Sequence, residues 1–202
     1  MDIIKKTQLK ILKLLIEKQN EQFSMNRIAH ILKKPYAHIY NLIQDLVKKK
    51  IVRLKPIPPA QIVLFSDSVP KDVLVTVEQF RTEEFLKKSS WLKLYMQDVA
   101  RTAPHPFFIL VIFGSYAKGT QTSKSDIDIL MIIPNKEEMD IFEPATEHYT
   151  KVKKSVIIVD TEGFLEMVKN TTEFNVGNEA RKHHFILHNI ETYYDLLRRV
   201  YK

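Results

Sequence analysis

The chain has 202 residues, 45% of them hydrophobic, with 31 Lys and Arg against 24 Asp and Glu and no cysteine. That length suits one large or two small domains with real cores, and the lack of cysteine excludes a disulfide framework and a thiolate metal site, so a reducing, cytoplasmic setting is expected. The opening MDIIKKTQLKILKLLIEKQ is interrupted by lysines every few residues, and no apolar run approaches twenty residues, so neither a signal peptide nor a membrane span is expected.

The net charge of +7 is unevenly placed: residues 1–66 hold 13 basic and 4 acidic residues, which leaves 18 and 20 for the rest. This asymmetry predicts two domains with different partners, the first suited to a polyanion.

Ile4, Leu9, Leu12, Leu15 and Ile16 recur at helical spacing opposite Lys5, Lys6, Lys10, Lys13 and Lys18, and the polar QNEQF ends that helix. Ser24 is placed to cap a short second helix with Ile28, Ile31 and Leu32 inside, and Pro35 stops it by disfavouring helical geometry at Lys34. A third helix follows from Pro35 to Lys49. Its buried stripe is Ile39, Leu42, Ile43 and Leu46, which leaves Tyr36, His38, Tyr40, Asn41 and Gln44 largely outside. Two strand-like runs, IVRLK and QIVLF, are joined by PIPPA as a hairpin.

Three helices and a hairpin resemble the winged helix-turn-helix fold, over about residues 3–66 of a domain placed at 1–66. The resemblance implies a third helix in the major groove of DNA, with Tyr36, His38, Tyr40, Asn41, Gln44 and Lys48 as the contacting set. Protein docking or homodimer formation is the competing role for such a domain.

Residues 67–103 read as a helical connector, helix from Pro70 to Ala103 with a break near KKSSW, where Ser89 or Ser90 caps a second piece starting at Trp91. Trp91, the single tryptophan, is expected as a packing anchor between domains.

The third region, 104–202, opens with the apolar run PFFILVIFGS, which suits a strand buried on both faces. About ten residues later SDIDILMII is a second strand, and because strand side chains alternate, Asp126 and Asp128 project from one face. Two like charges so close require a compensating cation or a raised pKa, and a hard oxygen-ligated ion such as Mg²⁺ or Mn²⁺ fits. A turn at Gly114 and Ser115 lets backbone N–H groups and a hydroxyl approach the phosphates of a metal-bound triphosphate, and Gly119 lets the loop turn back. Lys118 and Lys124 are candidates to assist, although loop lysines are usually just solvated.

Gly114-Ser115, ten intervening residues and Asp126-Ile127-Asp128 between apolar strands resemble the signature of the DNA polymerase beta-like nucleotidyltransferases, in particular the minimal ones that accompany HEPN proteins in toxin–antitoxin pairs. The resemblance implies an α/β (α+β) fold with a short mixed sheet flanked by helices. It also implies transfer of a nucleoside monophosphate, AMP foremost, from an NTP to a protein or nucleic-acid hydroxyl, and a HEPN-type partner. Asp126 and Asp128 are then catalytic and metal-binding, and Gly114, Ser115, Lys118, Gly119 and Lys124 bind the nucleotide.

One departure stands out. The family's third carboxylate is expected on the strand KKSVIIVD, where Ile157 takes its place and Asp160 comes about three residues late, better suited to capping the next helix with Glu162 in its first turn. The alternative is therefore a catalytically weak or inactive transferase fold serving as a DNA-binding regulator or nucleotide sensor. EEMDIFEPATEHYT reads as a helix on the sheet, and HFILHNIETYYDLL as a short buried stretch before a terminal helix. His184 and His188 would form a metal-binding pair only if helical; polar-tipped packing is the commoner role of His183, His184 and His188.

Overall fold

Punctuation in the first third of the chain sets its local structure. The computed structural model describes residues 4–18, 21–148 and 153–200, in two compact units that divide between Phe80 and Arg81. Gln19 and Asn20 of the polar break, and Tyr149 and Thr150 at the end of the EEMDIFEPATEHYT helix, lie outside the described residues.

In the first unit α1 spans Lys6–Glu17, α2 Met25–Leu32 and α3 Tyr36–Lys48. Ser24 caps α2 by accepting the Arg27 N–H at 3.2 Å, and Pro35 stands just before α3. Ile11, Leu12, Ile28, Ile39, Ile43 and Leu46 are fully buried together, each contributing about 1.5–3 kcal/mol relative to exposure. Ile31 departs from the expectation: α2 is too short to wrap the core, and the side chain is 41% exposed. Gln8 is buried between helices and donates to Asp45 Oδ2 at 2.7 Å, which ties α1 to α3. Strands β1 (Val52–Ile57) and β2 (Ala60–Phe65) pair antiparallel from Val52 opposite Phe65 to Ile57 opposite Ala60. The hairpin thus absorbs most of PIPPA, leaving a cis Pro58-Pro59 bond at the tip.

Helix α4 (Lys71–Leu86) contributes Val73 and Val77 to the first core, while Arg81 and Thr82 donate to the His184 and Ile186 carbonyls within the second unit. Helix α5 (Ser90–Thr102) begins at Ser90 rather than Trp91 and buries Leu92, Tyr95 and Val99, with Trp91 against Tyr95.

The rest of the second unit is β3 (Ile109–Phe113), α6 (Gly114–Lys118), β4 (Ile127–Ile133), α7 (Met139–Thr146, preceded by a 3₁₀ turn), β5 (Lys154–Asp160), α8 (Thr161–Lys169), α9 (Val176–Lys182), β6 (Phe185–His188) and α10 (Ile190–Val200). The sheet order is β5-β4-β3-β6, with β4 and β5 parallel and the other neighbours antiparallel, a small mixed sheet as expected. All five residues of β3 are buried. Ile127, Ile129 and Met131 face Leu92, Tyr95 and Phe142. Leu130 and Ile132 face Phe164, Val168, Ala180 and Tyr193. Alternation therefore puts Asp128 on the side covered by α8, α9 and α10.

The helical histidine pair does not form. His188 ends β6 and His184 precedes it; four extended residues span about 13 Å, and the two rings contact the Pro106 and Ala180 carbonyls respectively. Strand pairing with β3 overrides helical spacing here.

Candidate functional site

Sequence distance along the β3–α6–β4 segment is short, so its geometry is set locally. β3 ends at Phe113, the chain turns at Gly114 with φ +66°, and α6 begins at once. Asp128 pairs with Phe113 across the sheet, which brings its carboxylate over the glycine. A Cβ on Gly114 would lie 2.0 Å from Asp128 Oδ2 and 2.8 Å from its Cγ, so only glycine leaves the carboxylate where it is.

Burial raises the Asp128 pKa above the ordinary aspartate value; Glu179 and then Asp126 raise it further, and Lys118 and the Ser115 N–H oppose them. Asp126, just before β4, is exposed. A carboxylate that is partly desolvated and repelled by two others is one whose charge a hard dication would offset. Asp126 and Asp128 are the residues that would hold such an ion; among the described residues no three His, Asp or Glu side chains converge on one metal position.

The turn's other residues are distributed as follows. Gly119 ends α6 in the left-handed region, φ +70°, in open space. Lys118 is exposed and its ammonium bonds Glu179 Oε1 at 2.5 Å. Lys124 is exposed in the loop, where Thr122 and Ser125 hydrogen-bond each other. Burial holds the His183 pKa below its usual value, with Lys118 adding to the effect and Glu179 opposing it.

β5 brings no acid to this place. Ser155 is the register partner of Asp128, and Ile157, opposite Leu130, packs into the apolar layer. Asp160 lies opposite Ile133, five residues and about 16 Å further along. It accepts the Gly163 N–H at 3.0 Å as the cap of α8, so reach back to the aspartates is excluded. Glu179 is the residue that sequence reading missed. Its approach depends on α9 packing across the sheet, and no spacing rule encodes a contact 61 residues away.

Residues 109–191 match the nucleotidyltransferase domain family. The nucleotidyltransferase match begins with β3 and ends at the start of α10, so it contains the glycine turn, both aspartates and Glu179. Movement of a nucleoside monophosphate from a nucleoside triphosphate is the activity class this supports. No curated protein and no solved structure gives a significant match. Among the described residues no helix is long and apolar enough to cross a membrane.

In the first unit Tyr36, His38, Tyr40, Asn41 and Lys48 are exposed on α3, and Gln44 is half-buried. Tyr36 and Tyr40 stand with ring centroids 6.2 Å apart. An open groove of about 860 Å³ lies beside them, lined by Ser24, Asn26, Tyr36, Pro56, Pro58 and Gln61.

Proposed function

We propose that the chain is a Mg²⁺-dependent nucleotidyltransferase that moves AMP from ATP to a hydroxyl of a protein or nucleic acid. The observation that carries this reading is the fit of Gly114 beneath the Asp128 carboxylate, which couples the glycine turn to the aspartate pair as one unit. Gly114, Ser115, Lys118, Gly119 and Lys124 hold the triphosphate, and Asp126 and Asp128 hold the ion. The ion, when bound, neutralises phosphate charge and offsets the repulsion that now burdens Asp128. Ser115 contributes its hydroxyl. The decisive experiment is calorimetric titration of ATP with Mg²⁺ into wild type and Asp126→Ala/Asp128→Ala, with labelled-nucleotide incorporation followed in the same samples. Metal-dependent binding and incorporation, both lost in the double variant, are expected; no ATP binding to the wild type refutes the proposal.

The first unit delivers this activity to DNA, in a winged-helix manner. Supporting this are the +9 balance of residues 1–66 and the exposed Tyr36, His38, Tyr40, Asn41 and Lys48 on α3, with Gln44 at the edge of that surface. Pairing with a HEPN-type protein in an antitoxin role follows from the sequence resemblance, and copurification with the product of a neighbouring reading frame tests it.

A second reading rests on β5: with Ile157 in an apolar layer and Asp160 capping α8, the domain would serve as a nucleotide sensor in a DNA-binding regulator. ATP binding without incorporation into any acceptor is its signature.

A further inference from the structure

Transfer to a hydroxyl needs somewhere for the proton to go, and β5 offers no carboxylate near Asp128. The short helix α9 brings Glu179 to Lys118, on the helix that opens at the glycine turn. Asn175 caps it, accepting the Asn178 N–H at 2.8 Å. Asn178 is buried, and its amide donates to the carbonyls of Asn170 at 2.7 Å and of Met167 and Glu173 at 3.0 Å. Gly177 lies so close to α8 that a Cβ there would come within 2.6 Å of Met167 Cβ. Ala180 is fully buried in the sheet-facing layer. With positions 175, 177, 178 and 180 anchored inward, Glu179 is left turned toward α6, where Lys118 holds it at 2.5 Å while the side chain keeps 23% of its exposure.

We infer that Glu179 is the proton acceptor of the transfer reaction, supplied from α9 in place of an acid on β5. This rests on the transferase reading above. Lys118 serves as its holder in the free protein: an arriving triphosphate competes for the ammonium, which frees the Glu179 carboxylate as the nucleotide settles. In the step itself the acceptor's O–H bond breaks and its proton passes to a Glu179 oxygen. The acceptor oxygen bonds to the α-phosphorus, the bond from that phosphorus to the bridging oxygen breaks, and pyrophosphate leaves with the electron pair. The electrostatic reach of Glu179 to Asp128 agrees with a carboxylate at the mouth of the same site.

The test uses the full chain with ATP and Mg²⁺, in the variants Glu179→Gln and Glu179→Ala. Loss of a general base lowers turnover by roughly 10²–10⁴-fold, and here kcat should fall by that amount while calorimetric ATP affinity stays within about twofold of wild type. Added formate should restore part of the rate in Glu179→Ala and none in Asp126→Ala/Asp128→Ala. A merely structural ion pair would not respond to formate. Undiminished kcat in Glu179→Gln, a loss of ATP affinity as large as the loss of rate, or no rescue by formate would each overturn the assignment while leaving the transferase standing. Absence of incorporation by the wild type would overturn both.

Discussion

Replacing Gly114 by alanine is the most direct perturbation of the site, because two separable penalties meet at one atom. The backbone at φ +66° costs an L-residue about 1–2 kcal/mol. The new methyl would also sit 2.0 Å from Asp128 Oδ2, and relief of such overpacking typically costs a further 1–3 kcal/mol or so. Gly119 is the internal control: φ is +70° but no atom lies within 4 Å of its Cβ position, so Gly119→Ala carries only the backbone penalty. The expected losses are therefore about 2–5 kcal/mol for Gly114→Ala and about 1–2 for Gly119→Ala, read from denaturant midpoints at constant m. Asp128→Ala removes the Oδ2 and Cγ contacts and leaves only the Cβ at 3.2 Å, so in the double variant most of the excess should vanish, a coupling of about 1–2 kcal/mol. Equal losses at the two glycines, or no coupling to Asp128, would show that the carboxylate does not rest on Gly114.

Other perturbations separate the site's parts. Because burial, Glu179 and Asp126 raise the Asp128 pKa, the native state binds that proton more tightly than the unfolded chain. The associated stability is present at low pH and lost as pH rises through the raised value. In EDTA the melting temperature of wild type relative to Asp128→Asn should accordingly fall across the carboxylate range, and Mg²⁺ should restore it; a pH-independent difference refutes this. Asp160→Ala should cost about 0.5–2 kcal/mol through loss of the α8 cap, with the rate of nucleotide incorporation unchanged. On DNA, Asn41→Ala should cost about 1–3 kcal/mol at one preferred sequence, whereas Lys48→Ala should weaken all sequences alike and reduce the salt slope by about one. Unaltered binding in both would remove α3 from the interface.

What the sequence disclosed follows the reach of its signals. The Ser24 cap, the stop at Pro35 and the buried β3 run are decided within a few residues, and all three are read from local pattern. Where tertiary contacts intervened, the pattern failed. Ile31 keeps its helical phase but stays 41% exposed near the end of a short helix. PIPPA looks like a turn from its prolines, yet Pro56 pairs with Gln61 in the hairpin. Ile157 could be recognised as a missing acid, but its replacement could not be located, since Glu179 lies on a seven-residue helix whose position depends on Gly177 and Asn178 packing against α8.

The glycine turn and both aspartates belong to a hairpin that closes over a small loop, from Phe113 to Asp128, whereas Glu179 joins Lys118 across 61 residues. Loop-closure entropy makes the first contact the cheaper to form. The chain can therefore order the glycine turn and the β3–β4 pair before α9 docks, so the Glu179 share of the repulsion around Asp128 arrives with that helix. Hydrogen-exchange labelling during refolding would see β3 and β4 protected ahead of α9. Any anion that reached the Lys118 ammonium at that moment would compete with Glu179 for it, and so with the docking of the final helix.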